Sequence, residues 1–242
     1  MAKNKKFLQS DNFKSILILI IIIVAKLMFI NWYSIPSGSM IPTLSIGDHV
    51  LVNKNEYNLT LPFTEISLIH HKNPEDGDVV VFNERASGTT FIKRIIGVGG
   101  DTVLISGKDV FVNGKILKKV QYKEDDNFVY YRETNGNGVS YNVRYSKTVD
   151  MLFKHANKNY FRHIKPLRTG AWKVPKGTVF VMGDNRDNSE DSRFLNEHYI
   201  ELQQVFGKAI AIPLGFRKFE NGLFGNLMIK PVIPDSQLYL KH

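Results

Sequence analysis

The chain has 242 residues, 43% of them hydrophobic, a formal net charge of +9 and no cysteine. Its length and apolar content suit one large core or two modest ones and exclude a disordered or low-complexity chain. The missing cysteine excludes a disulfide framework, thiolate catalysis and Cys-ligated zinc. The positive charge fits a solvated surface or an anionic membrane surface. Nucleic acid is the weakest partner, because the densest basic stretch, FKHANKNYFRHIKPLR at 153–168, carries no nucleic-acid motif.

The first element in chain order is apolar. SILILIIIIVA (15–25) is interrupted by Lys26 and resumes as LMFINWY (27–33). A bilayer core takes about 20 residues of helix, so the predicted span runs over 13–33 behind a cytoplasmic tail at 1–12. Lys26 in mid-bilayer costs about 2.5–3.5 kcal/mol, a cost reduced where its stem can snorkel to the interface. A cleaved signal peptide fits less well, since no small-x-small site follows and Trp32 and Tyr33 suit an interfacial belt. Lys3, Lys5, Lys6 and Lys14 place the N-terminus in the cytoplasm by the positive-inside rule. The expectation is a single-pass protein with an exported globular domain.

IPSGSMIPTL (35–44) follows at once, uncharged, with two hydroxyls around one glycine and a proline on either side. Such a turn can present a nucleophile just above a membrane. Then come short β-branched runs, DHVLVNK (48–54), DVVVF (78–82) and FIKRIIGV (91–98), each bordered by Gly-Asp. KDVFVNGKIL (108–117) carries Asn-Gly between apolar runs, a hairpin signal. TVFVMGD (178–184) reads as a strand entering a loop, and FLNEHYIELQQV (194–205) as the one candidate for a short helix. Between 102 and 175 the composition shifts toward Lys, Asn, Tyr and Asp, which predicts an inserted, smaller subdomain. The core is then expected over 34–101 and 176–218, with a tail at 219–242. The predicted class is mainly β, with a β-rich insertion and one N-terminal transmembrane helix.

Two stretches carry candidate chemistry. Lys93 and Arg94 are adjacent on a strand and so point to opposite faces. Lys93 shares its face with Phe91 and Ile95, and Arg94 shares its face with Ile92 and Ile96. The pair reads either as a charge-guarded edge strand or as a buried lysine that can act as a base. GDNRDNSEDSR (183–193) reads as a turn-rich loop or as a scaffold of paired charges; it does not match a calcium loop.

Taken in order, PSGSMIPTL with GDHV, GDVVVF, FIKRIIGVGGD and GDNRDNSEDSR resemble the boxes of bacterial type I signal peptidases, and the anchor fits as well. The resemblance leaves the insertion unsupported. It implies an antiparallel, mainly β catalytic domain and a place in the bacterial cytoplasmic membrane, with that domain on the outer face. It implies Ser39 as nucleophile and Lys93 as general base, with the Ser37 hydroxyl and the Ser39 N–H as oxyanion hole. It also implies that Ser189 orients the Lys93 amine, that Asp184 pairs with Arg94, and that Asp191 pairs with Arg193. Ile35 and Met40 would wall the site for the residue before the cleaved bond, where small side chains are accepted. No metal or organic cofactor is implied. The partners are exported preproteins bearing signal peptides and the lipid bilayer, with no nucleic acid. Some Gram-negative members have two spans, whereas one is read here. A Ser-His protease, a self-cleaving repressor and a tethered non-enzymatic binding module are the rival readings, and none has a motif of its own in the chain.

Overall fold

The computed structural model describes residues 13–19, 30–60, 67–155, 169–212 and 230–232. The central sheet has eight strands. They are β1 (Ile30–Ser34), β2 (His49–Asn53), β5 (Val79–Asn83), β6 (Thr90–Val98), β14 (Thr178–Met182), β15 (Ile200–Glu201), β16 (Val205–Ile212) and β17 (Lys230–Pro231). Their order is β1-β2-β16-β5-β6-β14-β15, with β17 paired to β16. Every pairing in it is antiparallel.

Four of the strand entries share one turn. The N–H of Asp48, Asp78, Asp101 and Thr178 donates to the carbonyl three residues back, at 3.1, 3.1, 2.9 and 3.2 Å. The third residue of each turn is a glycine at φ 84°, 98°, 105° and 79°, the conformation that position of a type II turn requires. In the three Gly-Asp turns the carboxylate also accepts the N–H at the turn's start, at 2.8–3.1 Å. The Gly-Asp borders seen in the sequence are therefore strand-entry devices.

Strands β5, β6 and β14 are buried on both faces, which is why they read as nearly continuous apolar runs. Val79, Val81 and Ile92 pack with Leu44, Val50 and Val52. Val80, Phe82 and Ile95 pack with Tyr57, Val179 and Val205. Ile96, Phe180 and Met182 form a third cluster with residues of the 102–175 segment, including Val103, Tyr141, Tyr145 and Trp172. That segment holds a four-stranded sheet, β13-β7-β8-β9, built from Gly170–Lys173, Thr102–Ser106, Asp109–Val112 and Lys115–Ile116. It also holds the three-stranded sheet β10 (Lys118–Glu124), β11 (Phe128–Thr134) and β12 (Ser140–Ser146). The insertion thus shares a core with the central sheet. The predicted hairpin is present, with Asn113 at φ 52° and Gly114 at φ 76° joining β8 to β9.

Two expectations are corrected. Residues 30–33 do not end a membrane helix: Ile30–Ser34 pairs in register with β2, which satisfies its backbone, and Trp32 is 58% exposed. Residues 13–19 are helical, 20–29 lie outside the described residues, and among the described residues no helix is long and apolar enough to cross a membrane. Residues 194–205 do not form an α-helix, because Ile200 is buried in strand β15 and only Leu202–Gln204 makes a single 3-10 turn. The helix lies instead at Lys147–His155, where Val149 is buried in the core and Leu152 packs against it. Most of the tail is outside the described residues, but Val232 is buried against the central sheet.

Candidate active site

The turn that carries Ser39 leaves β1 and is closed at its base by Ile35 N–H to Asp48 carbonyl and Gly47 N–H to Ile35 carbonyl, both 2.9 Å. Ile35 and Met40, expected to face a substrate, are 3% and 0% exposed and pack into the apolar cluster beneath the turn. Ser39 is 8% exposed, and its Oγ lies 3.3 Å from the Ser37 Oγ.

Lys93 reaches this turn from β6. Its Nζ donates to Ser39 Oγ at 2.9 Å and to the Ile92 carbonyl at 3.0 Å. It is 2% exposed, and the Phe91 ring lies 5.1 Å from the amine. Burial lowers its pKa from 10.5 to about 8, against the opposing pull of Asp191, Glu190 and Asp184. A lysine here is far more readily neutral than one in water. His198 contacts the Ser192 carbonyl at 2.7 Å.

Arg94 points the other way, as adjacent strand positions must. Its Nε and Nη2 bind Asp184 at 2.9 and 2.7 Å, and its Nη1 binds the Gly77 carbonyl at 2.7 Å. Burial opposes this cation, but Asp184 more than offsets it and the pKa is raised. Arg193 likewise grips Asp191 through two nitrogens, each at 2.8 Å. Asp191 also accepts the Gly183 N–H at 2.9 Å. Burial alone would raise the Asp191 carboxyl, and the Arg193 guanidinium holds it below its usual value. Both expected ion pairs are therefore present and bidentate, a geometry that fixes orientation as well as distance.

Ser189 differs from expectation. Its Oγ is buried and has no hydrogen-bond partner, although it lies near enough to Asp191 to help hold that carboxyl down. It packs against Gly183, where an added Cβ would come within 2.2 Å of the hydroxyl. The Lys93 amine is satisfied by Ser39 and Ile92 instead.

Two further residues, each inside a stretch singled out above but not itself expected at the site, hold the Ser39 turn. Asn185 is fully buried; its N–H donates to the Ser39 carbonyl at 3.0 Å and its side-chain amide to the Gly38 carbonyl at 2.9 Å. Thr43, on the same turn as Ser39, donates its hydroxyl to Asp184. The turn is thus clamped by the 183–193 loop through both backbone and side chains. Among the described residues no cluster of three or more His, Asp or Glu could hold a metal ion.

The arrangement is a hydroxyl bonded to a desolvated amine, which suits nucleophilic attack on a carbonyl. The family described as signal peptidase, peptidase S26, matches residues 10–213. Signal peptidase I of Pseudomonas fluorescens is 33% identical over 81% of this chain and 68% of its own length. That of Aquifex aeolicus is 34% identical over 82% and 83%. A crystal structure of a signal peptidase I from Enterococcus faecalis aligns with 57% of this chain and 97% of its own, at 22% identity and a TM-score of 0.33. The chain belongs to the signal peptidase family, peptidase S26, and is a serine peptidase.

Proposed function

We infer that the protein removes N-terminal signal peptides from exported preproteins after small-x-small sites, with Ser39 as nucleophile and Lys93 as general base. The observation that carries this reading is the 2.9 Å bond from Lys93 Nζ to Ser39 Oγ, with both residues buried. The neutral amine takes the Ser39 proton as Oγ attacks the scissile carbonyl carbon. The Ser37 hydroxyl and the Ser39 N–H stabilise the oxyanion. The Lys93 ammonium returns the proton to the leaving amine, and the freed base then activates water to hydrolyse the acyl-enzyme.

The substrate binds extended, as a strand added beside the enzyme's own. The side chain before the cleaved bond meets the apolar floor to which Ile35 and Met40 belong. Neither a metal nor an organic cofactor enters any step. The segment 13–29 and the lysines before it support a single anchor in the cytoplasmic membrane, with the catalytic domain on its outer face.

The test is cleavage of a purified preprotein in detergent by the wild type, Ser39→Ala and Lys93→Ala. Each substitution is expected to lower kcat by at least about 10³-fold. Substantial activity in Lys93→Ala would mean that another group is the base.

A further inference from the structure

Residues 102–175 are not used by the reaction above, yet they carry a buried carboxylate directed at the loop that clamps Ser39. Glu133 lies on β11 and is 0% exposed. It accepts Arg186 Nη1 at 2.9 Å, Arg186 Nη2, and the Tyr141 hydroxyl at 3.0 Å. Burial alone would raise the Glu133 carboxyl, but Arg186 and Lys119 hold it below its usual value, so it stays ionised. A bidentate pair between two fully enclosed charges fixes both distance and angle between the insertion and the 183–193 loop.

Arg186 directly follows Asn185, the residue that holds the Gly38 and Ser39 carbonyls. The backbone makes the same connection. Arg144 of β12 donates its N–H to the Asp184 carbonyl at 2.9 Å and accepts from the Arg186 N–H at 3.1 Å. Tyr141, opposite Glu133 in the β11–β12 ladder, places its ring 4.2 Å from the Arg94 guanidinium that binds Asp184. A shift of Glu133 would therefore move the support of the nucleophile turn, not only the insertion.

We propose that Glu133 is a positioning residue for peptide hydrolysis. Through Arg186 and Asn185 it sets where the Ser39 turn stands relative to the Lys93 amine. The 102–175 sheets are then a working part of the site. The proposal rests on the Ser39–Lys93 reading.

The experiment measures kcat and KM separately on a preprotein-derived peptide, with the full chain in detergent, well below each variant's Tm. The variants are Glu133→Gln, Asn185→Ala and the double substitution. Glu133→Gln keeps the shape and removes the charge; kcat is expected to fall about 10- to 100-fold with KM within about twofold. The double variant is expected to be little worse than the worse single one, because both act on one linkage. If Glu133→Gln lowers only Tm and leaves kcat intact, or if the two losses multiply, the proposal is overturned. Should Glu133→Gln not fold, Tyr141→Phe takes its place. It removes only the hydroxyl bound to Glu133, and unchanged kcat there overturns the proposal equally. Ser39→Ala and Lys93→Ala run alongside. Retained activity in either defeats the dyad itself, a result separate from any effect at Glu133.

Discussion

Replacing Lys93 by methionine keeps a flexible apolar chain of similar reach and removes the amine. The buried amine's pKa falls from 10.5 to about 8. At about 1.4 kcal/mol per pH unit, its protonated form costs the folded state about 3 kcal/mol. Between pH 8 and 10.5 the unfolded chain holds a proton that the folded chain has released, so wild-type stability rises with pH there. Below pH 8 both states are protonated and the full cost is present. Lys93→Met escapes this cost but loses the bond to Ser39, worth about 1 kcal/mol at any pH. The variant should therefore be inactive and more stable than wild type by about 2 kcal/mol at pH 7. Its advantage should vanish by about pH 10. Urea unfolding of both proteins at pH 7 and pH 10 measures this directly. A variant less stable than wild type at pH 7, or a difference unchanged between the two pH values, would refute the burial argument.

The same shift predicts that kcat/KM rises with pH along a limb of apparent pKa about 8. Because Glu190 favours the Lys93 ammonium and is itself exposed, Glu190→Gln should move that limb to lower pH. Asp184→Asn leaves the buried Arg94 guanidinium without its counter-charge and should cost about 3–5 kcal/mol in urea unfolding. Gly183→Ala would place a Cβ 2.5 Å from the Ser39 carbonyl oxygen and 2.2 Å from the Ser189 Oγ. Its kcat should fall at least about tenfold through displacement of the nucleophile turn, read in the same peptide assay.

What was legible in the sequence was local. The Gly-Asp borders encode one turn used repeatedly, and each places the strand that follows. The opposed facing of Lys93 and Arg94 needs only the two-residue period of a strand. Asn185 and Thr43 lie inside stretches the sequence singled out, but their roles, like that of Glu133, escaped because their partners lie 147, 141 and 53 residues away. Glu133 had one usable clue, since strict alternation in FVYYRET puts it on the face of Val129 and Tyr131, where a carboxylate needs a partner. The helix at Lys147–His155 was hidden by its brevity and its flanking lysines, and only packing of Val149 and Leu152 reveals its inner face. The helix expected at 194–205 failed because tertiary pairing of Ile200 with Val179 outweighed a weak local pattern.

Strand β6 faces a problem that any doubly buried strand with two adjacent basic residues must meet, and it meets it in two ways. Arginine does not deprotonate in a protein, so Arg94 can be buried only with a counter-charge, and Asp184 supplies it in bidentate form. Lysine can surrender its proton. Lys93 therefore needs no paired anion within bonding distance; its partners are a hydroxyl and a carbonyl. The difference decides the chemistry. An aspartate on Lys93 would restore the ammonium and so abolish the base proposed above, whereas an unpaired Arg94 would destabilise the sheet. The three carboxylates that act on Lys93 from a distance keep its pKa from falling further, near the pH at which a base must both accept and return a proton.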